Sequence, residues 1–265
     1  MFPFNVRFGR YMLRNVLIQE LEYRAYYYMM IVSLLISFAA DFIILKLAHN
    51  DGRESYVGYN QIYSFILFAL FVRTSNSLWG ASLSFEKQIR NGEFRRYLLQ
   101  PVKFSQIFAV NAFGEKLFTW ILLAFIFVGL LFLKTEQELH LPHVYFYPFM
   151  ILSIALSWSI FYFFVLCAFW LHESAFMISA FNFTTGIFAG SILPIDWLPQ
   201  ALRKVLLLSP MPYLGHYPIS AAMGKVLGGD FSYTFLRGLF WLAFMVSLNT
   251  HMFKKGVRRY ESFGG

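Results

Sequence analysis

Six apolar stretches, each separated from the next by polar or charged residues, run along the whole chain. A helix needs about 20 apolar residues to cross the hydrocarbon of a bilayer, and all six stretches are close to that length or longer. The stretches are Tyr26–Leu47, Ile62–Leu83, Phe104–Leu133, Tyr145–Leu171, Ala175–Leu193 and Phe235–Phe253. The pattern predicts an all-α integral membrane protein with six transmembrane helices, in which residues 1–265 form a single transmembrane domain.

Two further segments have the polar–apolar period of a helix that lies on a membrane surface. In residues 1–24, three arginines share one helical face and aromatic residues share a neighbouring one, which predicts an amphipathic interfacial helix. A solvated tail accounts for the same residues equally well. In residues 194–232, leucines recur at helical spacing between Pro199 and Pro210, which predicts a short amphipathic helix at the outer surface.

The longest charged interruption, residues 84–103, is called the charged segment below. Asn91 and Gly92 both tolerate a left-handed backbone and predict a turn there. Glu93 is favoured at the positive end of a new helix, and Pro101 would end that helix. The segment is predicted as a helix two turns long at the water-facing end of the bundle. It either contacts a soluble partner or is a solvated loop.

Composition and charge place the chain in the membrane and orient it. The chain is 58% hydrophobic and 14% charged, and its net charge is +8. Thirteen Lys and Arg residues flank the stretches on the side of the charged segment and both termini, against six on the other side. Basic loops favour the cytoplasm, so both termini and the charged segment are predicted there. The positive charge is then explained by anionic lipids, and no nucleic-acid partner is expected.

A few polar residues interrupt the apolar stretches and are candidates for function. Arg73 and Asn76 lie in the second stretch, Asp41 in the first and Asn182 in the fifth. A charge inside a membrane is costly and therefore faces protein or water. Arg73 either lines a transport path or forms a buried pair. Asp41 is its possible partner, but the predicted topology puts Asp41 near the outer end, so the two meet only if the spans are staggered.

The sequence contains few residues that could form a catalytic or metal site. His140 and His143 lie near Glu136 and Glu138, but a complete ligand set for a metal is not evident, so no metal site is predicted. Cys167 lies in an apolar stretch and is predicted as a core residue rather than a nucleophile. The phosphate-binding pattern GxxxxGK[ST] does not occur, so an ATP site is not expected in this chain.

Three motifs in order give the chain a resemblance to a known family. NGEFRRYLLQPV follows the second stretch, ILPIDWLPQALRKVLLLSPMPY follows the fifth, and VRRYESFGG follows the sixth. Together they resemble the permease subunit of a type-2 ATP-binding-cassette (ABC) exporter from bacteria. The closest likeness is to the six-span branch that ends in a Tyr-Glu-x-x-Gly-Gly tail, represented here by Tyr260, Glu261, Gly264 and Gly265.

The resemblance implies a complex in the bacterial cytoplasmic membrane. Two permeases, identical or not, would bind two cytoplasmic ATPase subunits, which hold the ATP and Mg²⁺. Spans one, two and five would line the path and residues 194–232 would form the outer gate, but the resemblance does not name the cargo. Separately, the many phenylalanines within the spans fit either lipid-facing packing or a path for an apolar or amphiphilic cargo. The charged segment would be the coupling helix that docks on the ATPase, through Glu86, Arg90, Gly92, Glu93, Arg96 and Pro101.

Small residues in the fifth stretch suggest a contact between permeases. Gly186 and Gly190 are four residues apart, so on a continuous helix they would form a shallow groove on one face. Such grooves let helices approach closely in lipid. The groove fits another span of the same subunit equally well, and the resemblance favours a second permease.

Two classes of protein remain as alternatives. A secondary transporter that acts without an ATPase would need ion-coupling carboxylates inside the membrane, for which Asp41 and Glu115 are the candidates. It usually also has paired broken helices, which the hydropathy pattern does not predict here. A membrane scaffold or enzyme is the other alternative, but an enzyme would need a cluster of His, Asp or Cys at one depth.

Overall fold

The computed structural model describes residues 14, 18, 24–50, 61–100, 102–132, 141–171, 173–226 and 228–262, and all regular elements in these ranges are helical. The α-helices are α1 Arg24–Asn50, α2 Ile62–Asn76, α3 Trp79–Arg90, α4 Arg95–Leu98, α5 Phe104–Phe132, α6 Phe146–Cys167, α7 Ser174–Phe188, α8 Gln200–Leu208, α9 His216–Ala222 and α10 Gly228–Ser262. Two 3₁₀-helices, Ile195–Trp197 and Met211–Leu214, lie between α7 and α9.

Four of these helices are long and apolar enough to cross a membrane, namely α1, α5, α6 and α10. Helix α7 is a shorter apolar helix of the same kind. The prediction of an all-α membrane protein is therefore confirmed. The sixth span is longer than predicted, because α10 continues as one helix from Gly228 to Ser262. The interfacial helix predicted for residues 1–24 lies almost entirely outside the described residues.

Helix α6 is at the centre of the bundle and contacts α3, α7, α9 and α10. It is apolar on all sides, as expected for a helix surrounded by protein, and Leu156, Val165 and Leu166 are fully buried. Helix α1, by contrast, packs on α2 and exposes most of its apolar side chains, among them Met29, Leu35 and Ile36. Such apolar exposure in a membrane helix indicates surface available to lipid or to another protein.

The second span is not the continuous helix that its hydropathy predicts. Helix α2 ends at Asn76, Ser77 and Leu78 are not helical, and α3 begins at Trp79. A broken helix is tolerated inside a membrane only if the freed backbone groups find partners within the protein. Here the amide of Ser77 bonds the carbonyl of Arg73 at 3.1 Å, and the Ser157 hydroxyl donates to the carbonyl of Asn76.

The fifth span is shorter than predicted and changes the interpretation of its glycines. Helix α7 ends at Phe188, and Gly190 has φ +82°, a left-handed conformation that ends helices. A side chain at Gly190 would also be 2.8 Å from Cγ1 of Ile195. Gly186 and Gly190 therefore do not share a helical face, and the groove predicted from their spacing does not form.

Residues 194–226 include the predicted amphipathic helix, which is α8, but part of the segment enters the bundle. The Leu214 carbonyl accepts a hydrogen bond from Asn76 Nδ2 at 2.8 Å. Asn76 is the last residue of α2 and lies about 21 Å along that helix from its first residue, so Leu214 lies at the same depth inside the bundle. The prediction that this segment lies at the outer surface is thus corrected for its 3₁₀ turn, Met211–Leu214. Arg237 of α10 donates to the hydroxyls of Tyr213 and Tyr217 at 3.0 and 2.6 Å, which ties the sixth span to this segment.

Candidate functional site

A cavity of about 390 Å³ lies where the break in the second span meets α1 and α7. Its apolar walls include Leu34 and Phe183. Its polar lining comes mainly from three separate spans and comprises Ser33, Ser37, Arg73, Thr74, Asn76, Ser77, Asn182, Thr185 and Ser191. The cavity is called the transport cavity below. It brings together Arg73, Asn76, Asn182 and Gly186, which the sequence analysis named separately.

Arg73 and Asp41 form an ion pair beside the transport cavity. Arg73 Nη2 is 3.2 Å from Asp41 Oδ2, and the two side chains are 21% and 7% exposed. No stagger of the spans is needed for this contact. Helices α1 and α2 are antiparallel neighbours, Asp41 lies nine residues before the end of α1, and Arg73 lies eleven residues after the start of α2, so both are at nearly the same depth. The guanidinium of Arg73 therefore reaches the cavity with its charge compensated.

Asn76 holds the broken span against the centre of the bundle. Its side chain is 2% exposed, and Nδ2 donates to Ser153 Oγ at 2.6 Å and to the Leu214 carbonyl at 2.8 Å. Asn76 Oδ1 is buried without a hydrogen-bond partner among the described residues. Asn76 thus borders the transport cavity mainly as the residue that fixes the end of α2.

Asn182 links the same break to α7. Its Oδ1 accepts a hydrogen bond from the Ser77 hydroxyl at 2.7 Å, so the non-helical residue after α2 is tied directly to the fifth span. Gly186, one turn further along α7, lines the cavity, and a side chain there would come within 3.2 Å of Ile192 Cδ1. The small residue at 186 therefore makes room for the returning chain inside the subunit.

Glu115 is a functional candidate whose position the sequence did not predict. Its Oε2 accepts a hydrogen bond from the backbone amide of Ala81 at 3.2 Å, in the first turn of α3. The amides at a helix start are free to bind an acceptor, and the helix dipole favours a negative group there. The sequence analysis named Glu115 only as a candidate ion-coupling carboxylate, and the helix start that Glu115 contacts became visible only with the break at Ser77.

The charged segment differs from its prediction in both shape and exposure. Residues 91–94 form a turn around Gly92, whose φ of +82° confirms the turn predicted from Asn91 and Gly92. Only four residues, Arg95–Leu98, then form a helix, so the two-turn helix is wrong. Pro101, the predicted helix end, lies outside the described residues.

Glu86 is not available to a soluble partner, which corrects its predicted role in docking. It is 1% exposed, its Oε1 accepts a hydrogen bond from the Ser174 hydroxyl at 3.2 Å, and Arg90 Nε is 3.9 Å away. Ser174 begins α7, so Glu86 joins the end of the second span to the start of the fifth. A carboxylate near this helix start is also favoured by the helix dipole.

The remaining polar residues of the charged segment form an exposed surface. Glu93 and Arg96 are each about half exposed and form an ion pair at 3.4 Å. Arg96 also donates to Gln88 Oε1 at 2.6 Å and to the Tyr97 hydroxyl at 3.0 Å. Burial raises the pKa of the Tyr97 phenol, although the hydrogen bond from Arg96 acts in the opposite direction.

Two apolar side chains of the same surface were not identified from the sequence. Leu98 is 41% exposed and Leu99 is 88% exposed, although both lie among charged residues. In the linear pattern they follow Tyr97 and precede Gln100, and nothing distinguishes them from residues of an apolar core. The two leucines are adjacent in sequence and both exposed beyond the end of the apolar spans.

An aromatic cluster attaches this surface to three spans. Phe94 is completely buried, and its ring centroid lies 4.9 Å from Phe104 of α5, 5.0 Å from Phe169 after α6 and 5.4 Å from Tyr260 of α10. All three pairs are edge-to-face, the favoured geometry for aromatic rings. The charged segment can therefore move only together with these spans, unless the cluster breaks.

The other chemical candidates gain little support from the geometry. In the described ranges no three His, Cys, Asp or Glu side chains are grouped closely enough to hold a metal ion. His143 is described, but His140, Glu136 and Glu138 lie outside those ranges. Cys167 is buried at the end of α6, as expected for a core residue.

Apolar spanning helices, a broken span beside a polar cavity and an exposed segment at one end are together the features of a membrane transport permease. The chain belongs to the ABC-2 family transporter proteins, whose family model matches residues 35–264. Comparison with curated proteins gives no significant match. The resemblance to type-2 ABC permeases is thereby confirmed, whereas the branch defined by the C-terminal tail stays a prediction. Membership in this family implies an ATP-binding partner subunit.

Proposed function

We propose that the chain is the membrane-spanning subunit of an ATP-driven exporter in a bacterial cytoplasmic membrane, and that it moves an amphiphilic cargo. The observation that carries the proposal is the exposed surface of the charged segment, which is firmly attached to the spans. A cytoplasmic ATPase subunit would bind this surface. ATP and Mg²⁺ would be held by that subunit, since this chain lacks the phosphate-binding pattern.

Leu99 is the proposed anchor of the docking surface. Interfaces commonly combine a few apolar anchors with a surrounding polar rim, and the anchors contribute most of the binding free energy. Leu99, 88% exposed, has this character, and Arg90, Glu93 and Arg96 are partly exposed polar residues of the same segment. This assignment moves the proposed docking role from Glu86, which is buried, to Leu99, which follows the turn at residues 91–94.

The path from the docking surface to the transport cavity is short and continuous. Helix α3 runs from Arg90 back to Trp79, a distance of about 17 Å, and ends next to the break at Ser77. The Phe94 cluster fixes the other side of the segment to α5 and α10. A displacement imposed by the ATPase would therefore tilt α3 and change the geometry at Ser77 and Asn182.

The transport cavity suits a cargo with a polar head and an apolar body. Arg73, several hydroxyls and the amide of Asn182 would contact the head, while Leu34 and Phe183 would contact the body. Ligand sites usually combine apolar walls with a few placed polar groups in this way. A second permease, identical or related, would complete the path beside spans one, two and five.

The proposal is tested by what the purified permease retains. The tagged chain would be isolated in mild detergent from its native membrane, and Mg²⁺-dependent ATP hydrolysis in the eluate would be measured per mole of permease. Wild type should carry ATPase activity, and Leu99→Asp should lower it at least about tenfold, because a charge would replace the apolar anchor. Leu141→Asp, at a leucine that is 71% exposed at the opposite end, is the matched control.

Two results would contradict the proposal. Unchanged ATPase recovery with Leu99→Asp would show that the segment does not dock there. Absence of ATP hydrolysis from the wild-type eluate would favour a secondary transporter, a candidate that the broken second span and the Glu115 carboxylate at the start of α3 keep open.

A further inference from the structure

A second cavity, of about 530 Å³, lies at the charged-segment end of the bundle and shares no lining residue with the transport cavity. It is bordered by Tyr97 and Gln100 of the charged segment, by Trp158 and Tyr162 of α6, and by residues 246–254 in the second half of α10. The cavity therefore separates the proposed docking surface from the sixth span. Neither the family nor the proposed function assigns it a ligand.

Two lysines supply the charge of this cavity. Lys103 directly precedes the first residue of α5, and Lys254 lies on α10 beyond its apolar part, so both mark the same end of a span. Within the described part of the chain neither ammonium group forms an ion pair, and none of the described lining residues is acidic. Both side chains are exposed, so the cavity has an uncompensated positive rim at the level of lipid headgroups.

Polarity changes in one direction along the wall of the cavity. Val246, Thr250 and Lys254 all line it, and their spacing of four residues places them on one face of α10. From Lys254 to Val246 the wall passes from a cation through a hydroxyl to an apolar side chain within about 12 Å. An anionic amphiphile has the same order of groups, from phosphate through glycerol to hydrocarbon.

Trp158 adds a buried polar group to the middle of this wall. Its indole N–H is buried and has no acceptor among the described residues, and the amide oxygen of Gln100 is likewise buried without a described partner. Both residues line the cavity. Because both atoms are inaccessible to solvent, they are polar groups behind the cavity wall and not contacts already open to a ligand.

We propose that this cavity binds an anionic phospholipid from the adjacent leaflet, with the phosphate at Lys103 and Lys254 and an acyl chain directed toward Val246. A soluble phosphate ester has the same anionic group and is the alternative source. The apolar wall beyond Thr250 favours the lipid, because a soluble anion would leave that part of the cavity unfilled.

The proposal is tested by native mass spectrometry of the detergent-purified chain titrated with phosphatidylglycerol or with phosphatidylcholine. Wild type should bind phosphatidylglycerol at least about tenfold more tightly than phosphatidylcholine. Lys103→Gln together with Lys254→Gln should abolish most of this preference, since it removes both ammonium groups that would contact the phosphate in the cavity. Thr250→Phe, which fills the cavity without changing charge, should weaken binding of both lipids.

The matched control is Lys87→Gln together with Lys255→Gln, which removes the same charge from exposed lysines that do not line the cavity. It should change the preference less than twofold. Equal losses in the two double variants, or no preference in wild type, would overturn the proposal. Displacement of phosphatidylglycerol by millimolar inorganic phosphate would identify a soluble-anion site instead and would also overturn it.

Discussion

The charges beside the transport cavity depend on each other for stability. Arg73→Gln leaves the Asp41 carboxylate buried without its 3.2 Å partner. Breaking a buried ion pair in this way typically costs about 3–5 kcal/mol, whereas removing both charges is much less harmful. We therefore expect Arg73→Gln to lower the melting temperature in detergent and the yield in membranes, and Asp41→Asn together with Arg73→Gln to recover most of the loss.

A transport assay of the same variants distinguishes a stabilising role of Arg73 from a role in cargo binding. If the double variant is stable but inactive in transport, the guanidinium contacts cargo as well as Asp41. A loss in the double variant equal to the sum of the losses in Arg73→Gln and in Asp41→Asn would show instead that the pair contributes no coupling, contrary to the geometry.

Gly190 offers a second test at the residue scale. Its φ of +82° and the 2.8 Å approach of Ile195 leave no room for a side chain. We expect Gly190→Ala to lower the free energy of unfolding in detergent by about 1–3 kcal/mol. Gly129→Ala is the control, because a Cβ there meets nothing within 4 Å. A Gly190→Ala variant as stable as the control would contradict the left-handed turn after α7.

At the scale of elements, the break in the second span depends on a few polar contacts. Ser157→Ala removes the hydroxyl that donates to the carbonyl of Asn76, and leaves that carbonyl buried. An unsatisfied buried acceptor costs about 1–3 kcal/mol, so we expect a comparable loss in the free energy of unfolding. Chemical denaturation in mixed micelles would measure it.

The control for this element is Ser84→Ala, since Ser84 lies on the exposed face of α3 and its hydroxyl accepts a hydrogen bond from the Gln88 side-chain amide at 3.1 Å. We expect it to be within about 0.5 kcal/mol of wild type, as is usual for surface changes. Equal effects of the two substitutions would mean that the break is stable without the Ser157 contact.

At the scale of the whole molecule, the balance of basic residues sets the orientation. In a Cys167→Ser background, single cysteines would replace Asn91 in the exposed turn of the charged segment and Lys204 on the exposed face of α8. With the charged segment in the cytoplasm, an impermeant thiol reagent should label position 204 in intact cells, and position 91 only after permeabilisation. Labelling of position 91 in intact cells would reverse the orientation.

The sequence by itself determined the class of this protein and several local features. Six apolar stretches identified a helical membrane protein because the length and composition of a span follow directly from the thickness of a bilayer. Asn91 and Gly92 predicted a turn, and the prolines around Gln200–Leu208 predicted that helix, because both signals act within a few residues. The charged segment, together with the motifs after the fifth and sixth stretches, also carried the resemblance to the ABC-2 family.

Only the tertiary structure decided which polar residues lie together. Asn76 bonds Ser153 and Leu214, which are 77 and 138 residues away, and these contacts accompany the break in a span that hydropathy alone predicts as continuous. The burial of Glu86 against Ser174 depends likewise on a helix 88 residues further along. In a membrane protein, apolar side chains face lipid and protein alike. Hydrophobicity along the chain therefore cannot show which face of a helix is buried, or which polar side chain finds a partner there.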